Sequence, residues 1–261
     1  MGGDYTFGRD RSPNGPSTAG WDNQPYLTLG LYGGYQYTWA DAGDSGNTQI
    51  NSALFGGYAS YTSGGFYADG TVGGGYNGYR VRRGITFSTI DRTARSQPNG
   101  GQMNASLNLG YDWELGKFTF GPIAGVQYAY AGIAPFSETG ADSLDLRVAQ
   151  QNVNSLRTTF GGRIAYTWNV TDKIALIPEV RMFWQHEFLN NPRNISSALD
   201  GGSGPTFGYE TIAPARDSVF AGAGVSAQFG ERWNAFLYWN VDFGRQSYFG
   251  NSISGGLNWK F

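Results

Sequence analysis

Cysteine is absent from the 261 residues and histidine occurs once. Neither a disulfide framework, a cysteine-bound metal nor a multi-histidine cluster can be built from this chain. Charge is scarce too. Asp, Glu, Lys and Arg make up 15% of the residues, against about 25% in typical soluble domains. The net charge is −2 and the pI about 5.4, so no basic patch points to nucleic acid. No apolar run reaches the ~18 residues of a transmembrane helix. Residues 1–24 lack the basic, apolar and small-residue order of a secretory signal. If the protein crosses a membrane, its targeting sequence is expected ahead of Met1.

What is present is glycine, 41 residues, and aromatics at 16%. Mean hydropathy is −0.39. This combination suits a membrane β-barrel, in which half of each strand faces a polar lumen and hydropathy averages out. Period-two alternation supports it. Leu27, Leu29, Leu31, Tyr35, Tyr37 and Trp39 share one face of a strand. Met103, Ala105, Leu107, Leu109, Tyr111 and Trp113 alternate with Asn104, Ser106, Asn108, Gly110 and Asp112. Further strands are predicted over 49–61, 65–82, 118–130, 156–170, 174–188, 219–229 and 233–243, with a final one ending at Phe261. The expected fold is all-β: an antiparallel up-and-down transmembrane β-barrel of 10–12 strands.

Connections alternate in length. Short turns fall near Ser63, Gly116, Asp172 and Gly230, and long or polar loops near Asp44, Ser96, Glu138 and Gly202. A brief turn near Gln246 is the exception. Outer-membrane barrels show this asymmetry, with short periplasmic turns and longer external loops. The apolar faces carry Trp39, Tyr61, Trp113, Tyr130, Trp168, Trp184, Trp233 and Trp259 near strand ends, the expected place of an aromatic girdle. Asp69, Asp112, Glu114, Arg157, Arg163, Glu179, Arg181, Glu187 and Asp242 fall on the other face and are expected to line the lumen. Alternation sets His186 and Glu187 on opposite faces, which argues against a shared acid–base site. No catalytic, metal or cofactor site is predicted, and Gly73-Gly74-Gly75 has no following Lys and no helix to make a phosphate loop. Glycine there is expected to relieve crowding or to let an aromatic ring lie over a neighbouring strand.

Several segments resemble the C-terminal translocator domain of autotransporters, the type V secretion proteins. They are Phe55-Gly56-Gly57-Tyr58-Ala59-Ser60-Tyr61, Gly65-Phe66-Tyr67-Ala68-Asp69, Ser155-Leu156-Arg157, Gly161-Gly162-Arg163, Pro178-Glu179-Val180, Trp184-Gln185-His186-Glu187-Phe188 and Gly222-Ala223-Gly224-Val225-Ser226-Ala227, followed by Tyr238 and Gly244. The resemblance runs in order from about Gly3 to Phe261. It implies a twelve-stranded barrel in the Gram-negative outer membrane, a helix through the lumen, and a passenger carried to the cell surface. It also implies a terminal signal read by the barrel-assembly machinery, here at Ile253, Leu257, Trp259 and Phe261. Against that pattern the helix, the first strand and most of the second are expected to lie ahead of these residues. Gly2 to Phe7 reads as the tail of the second strand. Residues 1–24 are therefore expected to be partial strand and linker, and residues 25–261 the barrel domain. The expected partners are outer-membrane lipid, the assembly machinery and the protein's own passenger, not nucleic acid. A small outer-membrane pore without a passenger is the alternative, and a secreted soluble β protein a third.

Overall fold

The computed structural model describes residues 2–7, 25–189, 191–200, 205–211, 213, 215–230, 232–245 and 248–259. The linker expected over 8–24, the turn at Gln246, the loop centre at Gly202 and the terminal Phe261 lie outside the described residues. The elements are β1 (Gly2–Phe7), β2 (Tyr26–Asp41), β3 (Gly46–Ser63), β4 (Phe66–Phe87), β5 (Ile90–Ser96), β6 (Asn99–Tyr111), β7 (Trp113–Leu115), β8 (Phe118–Ile133), β9 (Phe136–Ser137), β10 (Leu146–Val148), β11 (Gln151–Tyr166), β12 (Trp168–Thr171), β13 (Ile174–Glu187), β14 (Asn194–Leu199), β15 (Phe207–Glu210), β16 (Asp217–Phe229), β17 (Trp233–Arg245) and β18 (Tyr248–Trp259). The described residues contain no helix beyond two short 3-10 turns.

Eleven strands form one antiparallel path, β1-β2-β3-β4-β6-β8-β11-β13-β16-β17-β18, each beside its sequence neighbour on that path. This is the up-and-down order that alternation predicts. β5, β7 and β12 extend it. The sheet curls as the wall of a barrel, and β1 and β18 stand at the two ends of the path, with no ladder joining them among the described residues.

Burial is inverted relative to a soluble protein. The buried hydrophobic residues are Ala94, Ala141, Val148, Ala165 and Ala175, all small, while Asp112, Glu179, Asn77 and Asn240 are buried at 8% exposure or less. Leu31, Phe55, Val72, Phe160, Ile253 and Leu257 stand well exposed on the opposite face. The polar face is the concave, inner one, and the apolar face points out.

Two prolines explain the interruptions in the ladder. Proline has no N–H to donate, so it sits where pairing lapses. Pro122 falls where β8 leaves β6 after Gly110↔Ile123 and resumes with β7 at Trp113↔Phe120. Pro178 falls where β13 leaves β11 after Ala165↔Glu179 and resumes with β12 at Trp168↔Leu176. Each gap residue uses its N–H elsewhere. Asp112 N donates to Gly65 O at 2.8 Å and Thr167 N to Lys117 O at 2.8 Å.

Of Gly73, Gly74 and Gly75, Gly73 on β4 leaves room for a ring, as Gly56 does on β3. A Cβ at Gly56 or Gly73 would meet the Tyr32 side chain, which lies across both strands.

Three stretches read as loops are partly folded. β4 runs on to Phe87 and pairs with β5 in a hairpin that rises past the main sheet. The stretches 131–153 and 189–216 contribute β9, β10, β14 and β15, a second sheet in the order β15-β14-β10-β9. Its strands are two to six residues long, too short to show a period. A salt bridge fixes the hairpin to this long-loop layer. Arg83 Nη2 donates to Glu138 Oε2 at 2.5 Å and to Leu144 O at 3.0 Å. Glu138 is buried, and it holds the Arg83 guanidinium above its ordinary pKa.

Candidate functional site: the polar inner wall

β4, β6, β11, β13, β16 and β17 carry the inner wall. Alternation sends every second side chain inward, and register decides which of these meet. Arg163 pairs across β11 and β13 with Arg181 and, two residues on and on the same face, Ala165 faces Glu179. Asp112 arrives from the ladder gap beside Pro122, and its side chain is fully buried. The Arg163 guanidinium grips it with two donors. Nη2 donates to Oδ2, and Nε to Oδ1 at 3.3 Å. Arg163 Nη1 donates to Glu179 Oε2 at 3.1 Å. Such forked arginine–carboxylate pairs are directional as well as strong.

The chain of charge continues. Arg181 lies 4.0 Å from the other Glu179 oxygen and donates from Nη2 to Asn240 Oδ1 at 3.0 Å. Its guanidinium sits 4.8 Å from the Tyr238 ring centroid. Arg163 lies over Tyr67 at 5.5 Å. Gly110 makes room for that ring, because a Cβ there would strike Tyr67. Asp69 accepts from Ser60 Oγ at 2.5 Å and lines the same depression as Tyr67, Arg163, Glu179 and Arg181.

The structure thus brings together Asp69, Asp112, Arg163, Glu179 and Arg181. Arg157 and Glu187 form a separate pair at 3.7 Å near the long-loop end, where Glu187 also accepts from Ser155 Oγ at 2.5 Å. Asp242 pairs with Arg245 at 3.2 Å. Glu114 does not join any of these: it is exposed opposite Thr119 at the short-turn end and makes no ion pair among the described residues. Tyr67, Ser155, Tyr238 and Asn240 complete the wall; Tyr67, Ser155 and Tyr238 stand in the segments that carry the family resemblance, but only charged residues were expected to line the lumen.

Some donors and acceptors are left over. The Tyr67 hydroxyl, Arg157 Nε, Arg181 Nε and Asp242 Oδ1 are buried without a hydrogen-bond partner among the described residues. Buried polar atoms are nearly always paired, so this wall holds bonding capacity that its own residues leave unused.

On the outer face the aromatic residues fall in two rows. Tyr61, Trp113, Trp168, Trp233 and Trp259 lie at the short-turn end, where Trp233 and Trp259 stack at 6.0 Å. Trp39, Tyr130 and Trp184 lie at the long-loop end. Tyr130 is less exposed than the others and donates to Asn152 Oδ1 at 2.8 Å. His186 is on this outer face, with Nδ1 2.9 Å from Asp217 Oδ1, while Glu187 points inward. The separation expected from alternation is what the register gives. The partner, Asp217, was not foreseen, since it depends on the β13–β16 register. Ile253, Leu257 and Trp259 point outward and are exposed on β18.

With this geometry in view, comparison with known proteins is informative. The autotransporter beta-domain family profile matches residues 2–240. The structure is similar to the beta domain of the Bordetella autotransporter BrkA, with a TM-score of 0.64 at 20% identity, covering 100% of this chain and 90% of that one. It is also similar to the translocator domain of the autotransporter NalP from Neisseria meningitidis, with a TM-score of 0.64 at 19% identity, covering 100% of this chain and 81% of that one. No curated protein sequence matches.

Proposed function

From the premise that this chain belongs to the autotransporter beta-domain family, we propose that its inner wall receives the polypeptide leading to a passenger and supports that passenger's passage to the cell surface. The chain is an outer-membrane translocator domain, and translocator domains are secretion modules. The observation that carries the finer reading is the wall's spare bonding capacity. Four polar atoms buried within this wall have no hydrogen-bond partner among the described residues, and the same wall carries the Arg163–Asp112–Glu179–Arg181 chain. A polar polypeptide segment supplies the complementary amides and hydroxyls. The carboxylates are already neutralised by arginine, so the wall binds rather than reacts, and we assign it no catalytic step.

The outer face supports a lipid contact. On β4, Phe66 and Tyr76 both point out, ten residues apart. At ~3.3 Å per residue and a tilt of about 40°, they stand about 25 Å apart along the membrane normal, the height of a barrel's apolar band. Trp233 to Phe243 and Phe249 to Trp259 repeat the interval on β17 and β18. We read the two aromatic rows as girdles at the lipid–water boundaries and Ile253, Leu257, Trp259 and Phe261 as the assembly signal.

The test joins a signal peptide and a reporter passenger ahead of Gly2. Surface display of the reporter, measured by protease accessibility on intact cells, is the expected result. A chain that reaches the outer membrane, passes ions and never exposes the reporter is instead a pore without a passenger. Deleting Phe261 should lower the amount of assembled protein in the outer membrane severalfold. Undiminished assembly would remove the terminal-signal reading.

A further inference from the structure

We propose that Arg80, Arg82 and Arg95, on the outward face where the β4–β5 hairpin leaves the main sheet, form a binding site for phosphate-bearing lipid headgroups. The inference rests on the membrane reading above and concerns what borders the barrel at its long-loop end.

The overall charge of −2 conceals this cluster. Arg80, Arg82, Arg83, Arg92 and Arg95 lie within one hairpin, and register divides them between its faces. Arg83 faces Ala94 and Ile85 faces Arg92, which puts Arg83 and Arg92 inside. There they find partners: Glu138 for Arg83, and Asp142 with the Ala141 carbonyl for Arg92. Arg82 faces Arg95 directly across the ladder, and Arg80 is two residues from Arg82, so these three point outward. All three are exposed, and none has an ion-pair partner among the described residues. The same hairpin satisfies its inner arginines and leaves its outer ones bare.

Like charges directly opposite in a sheet repel. Here the backbone holds them there. Arg95 N donates to Thr139 O at 2.8 Å and Thr139 N to Arg95 O at 2.9 Å, while the Arg83–Glu138 bridge fastens the opposite strand. Nearby acids do not relieve the repulsion. Asp41 lies on the same face two strands away, about 10 Å by strand spacing, and its carboxylate already accepts from Gly43 N. Asp91 is four residues along from Arg95, about 13 Å, beside Thr86 at the hairpin end. Asp44 is exposed in the adjoining 3-10 turn and pairs with none of the three among the described residues.

The position selects the ligand. Tyr76 ends the apolar band on β4, and Arg80 follows four residues later, about 13 Å along the strand. Arginine stems reach back toward the band while their heads stay in the polar layer. That layer holds lipid phosphates, and a guanidinium fork matches a phosphate's oxygens. One phosphate bridging Arg82 and Arg95 converts a repulsive pair into a shared site.

The experiment refolds the whole chain into phosphatidylcholine vesicles containing either bis-phosphorylated lipid A or its dephosphorylated form. Lipid retained on the protein after detergent extraction is counted by mass spectrometry. The wild type should retain the phosphorylated lipid roughly tenfold over the dephosphorylated one, given the attraction typical of each basic residue at an anionic surface. The triple variant Arg80→Gln, Arg82→Gln, Arg95→Gln should insert as well and lose that preference. Arg147→Gln, an exposed long-loop arginine paired with Asp200, should keep it. An unchanged preference in the triple variant overturns the proposal. So does equal retention of both lipids by the wild type, or displacement of the lipid by inorganic phosphate that binds the detergent-solubilised chain equally well. Failure of the wild type to enter even pure phosphatidylcholine would instead bring down the membrane reading itself.

Discussion

On the inner face, Asp112 and Glu179 are buried and Arg163 and Arg181 close around them. On the outer face of neighbouring strands, Leu107, Val126, Phe160 and Val180 are 45%, 40%, 61% and 57% exposed. One sheet thus hides its charges and displays its hydrocarbon. In water the arrangement is unfavourable on both counts, since apolar area is left wet and ions lose hydration. In a bilayer both terms change sign or shrink. The outer face meets a solvent as apolar as itself, and the inner face meets a polar lumen. The contrast between the faces therefore reports the solvent for which the sequence is built.

Substitutions can break that contrast, in descending order of effect. Asp112→Ala leaves Arg163 held only by Glu179 and should cost the folded state about 3 kcal/mol, at the low end for a broken buried pair. Urea titration of vesicle-bound protein measures it, and a cost near zero would mean that the pair is solvated. Val72→Arg places a charge mid-band on the outer face, for an expected ~2–4 kcal/mol, whereas Thr71→Arg, one residue along and inward, should cost much less. Equal costs at the two positions would erase the distinction between faces. Tyr130→Phe removes the bond to Asn152 and should cost about 1 kcal/mol, read from the same titration. Arg147→Ala removes an exposed ion pair with Asp200 and should change stability by less than about 0.5 kcal/mol.

Which face each residue takes was legible in the sequence, because a strand's period is two and the apolar positions keep it for ten residues or more. Asp112, Arg163, Glu179 and Arg181 could be placed on one face, opposite the apolar one, on that ground alone. Their pairings could not, because register is set by turns and by gaps such as those at Pro122 and Pro178, and a charged residue's neighbour on the next strand is not written beside it. Glu114 shows the limit. Its alternation is right, yet it sits at the strand end and stays outside the cluster. The second sheet was hidden for a different reason. Leu146–Val148 or Phe136–Ser137 is shorter than any period can declare, and these strands exist because Glu138, Asp145 and Asp200 bind neighbouring backbone and arginines. The outward arginines were lost in a net charge that averages over the whole chain.

The central claim is that the exposed apolar face is a lipid-facing surface. Dilution of the chain from urea into neutral phosphatidylcholine vesicles tests it most directly, with β content followed by circular dichroism and insertion by protease protection. The structure predicts that native β content, protection and heat-modifiable migration on gels arise together and only when vesicles are present. The same β content reached in plain buffer, with the protein remaining outside the vesicles and open to protease, would contradict it.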